Sequence, residues 1–133
     1  MNSRSFAVIV AFAALSGCVV DDSTPVAVAG DGMLTVEFTV DGTSDPAECT
    51  FQGADSIDVV VTTPNGAVVT EVTDDCRNAT TSIDLPPGSY YADAVLLDHA
   101  GHTITTTVDL GGFHIYGDVE LVVHADFPPD SFF

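Results

Sequence analysis

The side chains able to do chemistry fall into three sets: twenty carboxylates, four histidines and three cysteines. The histidines stand at positions 99, 102, 114 and 124. His99 and His102 flank a short turn, and with Asp98 they form a His/carboxylate set that suits zinc or copper. The stretch Asp41-Gly42-Thr43-Ser44-Asp45 and the pair Asp74-Asp75 are loop acids, and calcium takes about six to eight oxygens from such loops. Neither stretch has the Asp-x-Asp-x-Asp-Gly spacing of an EF-hand. The plain alternative is a solvated acidic surface that keeps the protein soluble, with the histidines as polar turn residues. The residues alone leave both readings open, so no metal ligand is assigned.

For catalysis the case is thin. No Gly-x-Ser-x-Gly elbow, Ser-x-x-Lys, His-Glu-x-x-His or Gly-rich phosphate loop occurs. Carboxylate pairs are everywhere in such an acidic chain, so their presence distinguishes nothing. The expectation is a protein that is not an enzyme and carries no cofactor. Charge excludes a further class. The formal net charge is −18, the basic residues are Arg4 and Arg77, and lysine is missing altogether. No basic stripe for a phosphate backbone can be built from that, so nucleic acid is not a partner. With no Trp, and only Tyr90, Tyr91 and Tyr116 as aromatics with a polar handle, a carbohydrate platform built on stacking looks poorly supplied.

The first seventeen residues are an address. Arg4 gives a positive start, Phe6 to Leu15 is an apolar run, and small residues precede Cys18. That is the pattern of a secretory signal peptide over residues 1–17. The run is too short to span a bilayer, which needs ~20 apolar residues. Leu15-Ser16-Gly17-Cys18 resembles the lipobox of bacterial lipoproteins. The resemblance implies that Cys18 is acylated (palmitate being the expected chain) and becomes the mature N-terminus. It also implies that Val19, in place of Asp after the cysteine, directs the protein to the outer membrane of a Gram-negative cell envelope. An acidic domain is repelled by anionic lipid, so the membrane partner is reached through the lipid on Cys18, and stable anchoring takes two or more chains. Cys49 and Cys76 remain, an even pair in an oxidising compartment, and read as one disulfide. It would close a loop of about 28 residues, worth roughly 3.5 kcal/mol by chain entropy.

What must position these residues is a sheet. Residues 18–31, with Pro25 and several acids, read as a tether, and residues 32–133 as one domain. Met33–Val40 alternates strictly, with Leu34, Val36, Phe38 and Val40 on one face. Asp41–Pro46 reads as a loop. Ile57–Thr63 and Ala67–Thr73 flank Pro64-Asn65-Gly66, a strong hairpin signal, and the two cysteines bracket that hairpin. Thr80–Leu85, Tyr90–Asp98 and His102–Leu110 follow as strands, and Gly111-Gly112 reads as a break. Phe113–Tyr116 and Asp118–Asp126 supply the last one or two, with Val119, Leu121, Val123, Ala125 and Phe127 facing in. No helix is expected after residue 17.

About seven short strands with turns every 8–12 residues predict an all-β, antiparallel β-sandwich. Leu85-Pro86-Pro87-Gly88-Ser89-Tyr90, followed by Asp98-His99-Ala100-Gly101, resembles the L-P-x-G-x-Y…D-x-x-G core of transthyretin-like and carboxypeptidase-regulatory-like immunoglobulin-fold modules. The resemblance implies an immunoglobulin-like fold with Tyr90 at a sandwich corner and a hairpin at Asp98–Gly101. It implies no catalytic residue, because such modules share none. The functional expectation is a lipid-anchored, monomeric binding or structural module, with an envelope protein as a possible partner; the alternative is a calcium- or metal-dependent surface binding domain. The tail carries Phe132 and Phe133, expected to plug an open end of the sandwich, the competing reading being an exposed docking patch.

Overall fold

The computed structural model describes residues 30–133. The signal segment, Cys18 and all but the last two residues of the expected tether therefore lie outside the described residues. The strands are β1 (Gly32–Val40), β2 (Ser56–Thr62), β3 (Val68–Asp75), β4 (Thr80–Leu85), β5 (Gly88–Leu97), β6 (Val108–Ile115) and β7 (Glu120–Phe127). They form a three-stranded sheet in the order β4-β1-β7 and a four-stranded sheet in the order β3-β2-β5-β6. The fold is a β-sandwich held by one disulfide.

Alternation along the strands builds the core. Leu34, Val36 and Phe38 of β1 face Ile57, Val59 and Val61 of β2 and Ala92, Ala94 and Leu96 of β5, all nearly or fully buried. The last strand closes the stack with Ala125 and Phe127, while Leu121 and Val123 are half-buried. Val119, expected to face in, is 52% exposed because it precedes the first paired residue of β7. Tyr90 sits at the corner with its hydroxyl donating to the Pro86 carbonyl at 2.6 Å, fixing the Pro-Pro-Gly turn that leads into β5.

Three features depart from the sequence reading. First, one strand pair is parallel: β1 runs beside β7 through eight residue pairs, from Met33↔Glu120 to Val40↔Phe127. A half-buried strand alternates in either orientation, so the pattern carries no sign of this. Second, Pro46–Gln52 is a short helix, α1. Asp45 caps it by accepting from the Ala47 amide, Pro46 starts it, and Gly53 ends it in the left-handed region at φ +79°. Third, β6 is shifted toward the C-terminus and contains Gly111-Gly112 rather than stopping there. Between Ala92 and Asp93 of β5 the register shifts, leaving Leu110 of β6 as the extra, bulged residue, and Gly112 leaves room for the Tyr91 ring: a Cβ there would lie 2.9 Å from Tyr91 Cε1.

The hairpin and the disulfide sit as expected. Thr63–Gly66 turns β2 into β3, with the Gly66 amide donating to the Thr63 carbonyl at 2.9 Å. At the open end, Ser56 pairs with Asp75, and the bond between Cys49 of α1 and Cys76 joins the segments just outside, with Cα atoms 6.1 Å apart. The tail divides between its two expectations. Residues 131–133 fold back along 104–106, with Phe133 N donating to Ile104 O, and Phe132 packs on the core while Phe133 is 85% exposed.

Candidate binding site

The parallel pairing brings outward residues of β1 and β7, more than eighty positions apart in sequence, into one row. Glu37 lies opposite His124 and Thr39 opposite Asp126, while Thr80 on β4 flanks Glu37 from the other side. Ser44, Asn78 and Ala79 rim the same hollow, which encloses about 600 Å³ on the outer face of the three-stranded sheet. Inside it the His124 Nε2 stands 2.9 Å from Glu37 Oε1. Asp126 Oδ1 accepts from the Thr39 hydroxyl at 2.6 Å and from the Gly42 amide at 3.1 Å. One row further down, the Thr35 hydroxyl donates to Glu120 Oε2 at 2.6 Å beside Ser82. Set on paired strands, these groups offer a ligand hydroxyls, an amide, an imidazole and carboxylates. The groove lining includes no arginine or lysine.

The structure disperses the metal sets suggested by the sequence. Asp45 is spent on the cap of α1. Asp75 accepts from the Arg77 amide at 2.9 Å and from its guanidinium at 2.8 and 2.7 Å. Asp74 Oδ1 accepts from the Asp75 amide and from Asn78 Nδ2. Asp98 Oδ1 takes the amides of Ala100 and His102, closing the turn; the His102 ring stays 3.6 Å from Asp98 Oδ2, but His99 leaves the set and leans toward Asp55 at 3.8 Å. Among the described residues no three His, Cys, Asp or Glu side chains converge to hold a metal ion. The local reason is turn chemistry. Short acidic side chains in loops bond their own backbone amides first.

The titrations follow from these partners. Hydrogen bonds from Arg77 hold the Asp75 carboxyl below the usual range, and the same pair raises the guanidinium. The His102 amide lowers Asp98. Glu71 goes the other way, raised by a hydrogen bond and like charge from Asp58, its neighbour on the exposed face of β2 and β3. A carboxyl raised by folding binds more protons in the native state, so stability falls as pH rises from the unfolded value through the folded one. Glu71→Gln is therefore expected to raise the melting temperature at pH 7 and to leave it unchanged below about pH 4. Parallel thermal scans at the two pH values measure this; equal effects at both would mean that Asp58 exerts no repulsion.

Two of the sequence's chemical residues join the groove only through the fold. His124 was visible as outward-facing on the last strand, but nothing local pairs it with Glu37. The cysteines are bonded to each other, and Cys18 lies outside the described residues.

No family model and no curated protein matches this chain. Among solved structures it is similar to a crystal structure from Bacteroides thetaiotaomicron, of the DUF1812 group and provisionally described as polysaccharide-binding. The TM-score is 0.43 at 13% identity, over 70% of this chain and 46% of that one. The chain thus spans about half the length of that neighbour.

Proposed function

We propose that this chain is a non-enzymatic, lipid-anchored module of the bacterial cell envelope that binds a ligand or partner in the groove at Glu37, His124 and Asp126. One observation carries the binding reading: the groove is roomy, built on three paired strands, and its polar groups are already fixed to one another. The Thr39 hydroxyl is donated to Asp126, and His124 is paired with Glu37 rather than with a hydroxyl it would activate. The imidazole therefore has no hydroxyl to activate, which favours recognition over histidine-assisted nucleophilic catalysis.

The anchoring half rests on the lipobox-like Leu15-Ser16-Gly17-Cys18, and position supports the combination. The domain starts at Gly32, and Glu37 to Thr39 lie five to seven residues along β1, about 17 to 23 Å from the tether end. A membrane-tethered sandwich would hold the groove away from the lipid. The Tyr90 corner supports the transthyretin-like reading of the module, and outer-membrane sorting follows from Val19 by the same lipoprotein analogy.

Expression in a Gram-negative host fed an alkyne fatty acid tests the anchor. The full chain should take up label and fractionate with outer membrane, and Cys18→Ala should lose both. An unlabelled wild-type chain, or a Cys18→Ala chain that stays in the membrane fraction, would overturn the proposal.

A further inference from the structure

The outer face of the four-stranded sheet carries a second, chemically different surface. Three aromatic rings are gathered there by β5 and β6. Tyr91 lies against Gly112, its partner across the ladder, and is 49% exposed. Two residues along β6, His114 stands opposite Ser89, whose hydroxyl lies 3.1 Å from Nδ1 and fixes the imidazole. Tyr116 follows, 63% exposed, with its ring centroid 4.4 Å from that of His114. From Gly112 to Tyr116 the row runs about 13 Å. A shallow hollow of about 320 Å³ lies along it, lined by Pro64, Ser89, Tyr91, Gly112 and His114 with Tyr90 and Phe113.

Its lining is free of carboxylates, in a chain of net charge −18. Exposed rings offer flat apolar area at little entropic cost, since each is ordered by two torsions. Here two of the three are further fixed, Tyr91 by the glycine beneath it and His114 by Ser89. The fixed His114–Ser89 pair supplies hydrogen-bonding groups between the tyrosines. A flat apolar ligand edged with hydroxyls matches this, and a sugar ring is such a ligand. Acids border the row, with Asp93 paired to Asp109 on the strands just beyond Tyr91 and Asp118 following Tyr116. They repel anionic chains and anionic lipid, which selects for neutral ones.

We infer that the Tyr91–His114–Tyr116 face is a binding site for a neutral polysaccharide chain. This goes beyond the groove reading, from which it is independent: the two sites lie on opposite faces of the sandwich. The inference runs against the sequence expectation that a stacking platform is poorly supplied with aromatics. Scattered in sequence, the three rings are lined up by the β5–β6 pairing.

Affinity electrophoresis of the 30–133 domain alone would presume independent folding, so the experiment uses the full chain in detergent. It runs through gels containing barley β-glucan, galactomannan, arabinoxylan or dextran. Retardation on at least one of them is expected. Tyr91→Ala and Tyr116→Ala should each weaken it about ten-fold, as truncating an aromatic anchor does, while Tyr91→Phe keeps it. Gly112→Ala is the positional variant, because the added methyl lifts the Tyr91 ring without removing it, and it should weaken binding too. Since the chain has no Trp, tyrosine emission reports the contact directly. Melting temperatures check that the variants are folded, and Phe51→Ala, which removes an exposed ring on α1, should leave retardation unchanged. Absence of retardation in every gel, retardation indifferent to both tyrosines, or binding only to a proline-rich peptide or to phosphatidylethanolamine vesicles would overturn the inference. None of these outcomes bears on lipid labelling at Cys18, so the two proposals fail separately.

Discussion

Replacing Cys49 and Cys76 together with serine is expected to lower the unfolding free energy by roughly 3.5 kcal/mol, the chain entropy of a closed loop of this length. The native residues are 27 apart in sequence. For a domain of about 100 residues this corresponds to a fall in melting temperature of roughly 15 °C or more. The loss should also be local. Helix α1 has seven residues, too few to stand alone in water, and Cys49 is its one buried residue, with Phe51 82% exposed. Without the bond it keeps only its caps. Hydrogen exchange should therefore speed most at Gly53 and Ala54, whose amides donate to Thr50 and Cys49. Calorimetry of the oxidised and serine forms gives the first number. A loss under 1 kcal/mol would mean that the hairpin's open end is held closed by its own pairing.

The second large effect is expected at Phe127. Among the described residues it is the largest fully buried side chain, and its ring meets Phe38 edge-on with centroids 6.4 Å apart. Phe127→Ala should cost about 3–5 kcal/mol, and Phe127→Leu less than about 1.5 kcal/mol, because volume is nearly kept. Urea denaturation read by circular dichroism separates these values. An alanine variant as stable as the leucine one would show that residues 128–133 collapse into the space.

These two positions also show how much of the fold was legible in advance. Phe127 stood out because β7 alternates, and the cysteines because two remain once Cys18 is set aside. Thr80–Leu85 matches its observed strand end to end for the same reason: every second side chain is buried. What escaped was whatever depends on a partner strand. Helix α1 did leave a local trace, in Asp45 before Pro46 and Gly53 after Gln52, but seven residues are too few to show a helical period. The β6 boundary was misplaced because two glycines signal a break unless a ring from the neighbouring strand, here Tyr91 of β5, fills the space above one of them. The groove was the least legible. Glu37 and His124 each read as ordinary outward positions, and only the pairing of the first strand with the last sets them 2.9 Å apart.

That pairing has a mechanical consequence. Because β1 and β7 run in the same direction, the start of β1 at Gly32 and the end of β7 at Phe127 lie at opposite ends of the shared ladder. A pull between the two ends of the domain then acts along the strands, in shear, and loads all eight residue pairs together. Antiparallel partners pulled from the same end would unzip one pair at a time. Forced unfolding is governed by the unfolding rate, and a shear load must break many hydrogen bonds in a single event. A domain held at Gly32 and gripped near residue 127 would thus resist tension along the strands, the direction in which an N-terminal lipid anchor of the kind proposed would load it.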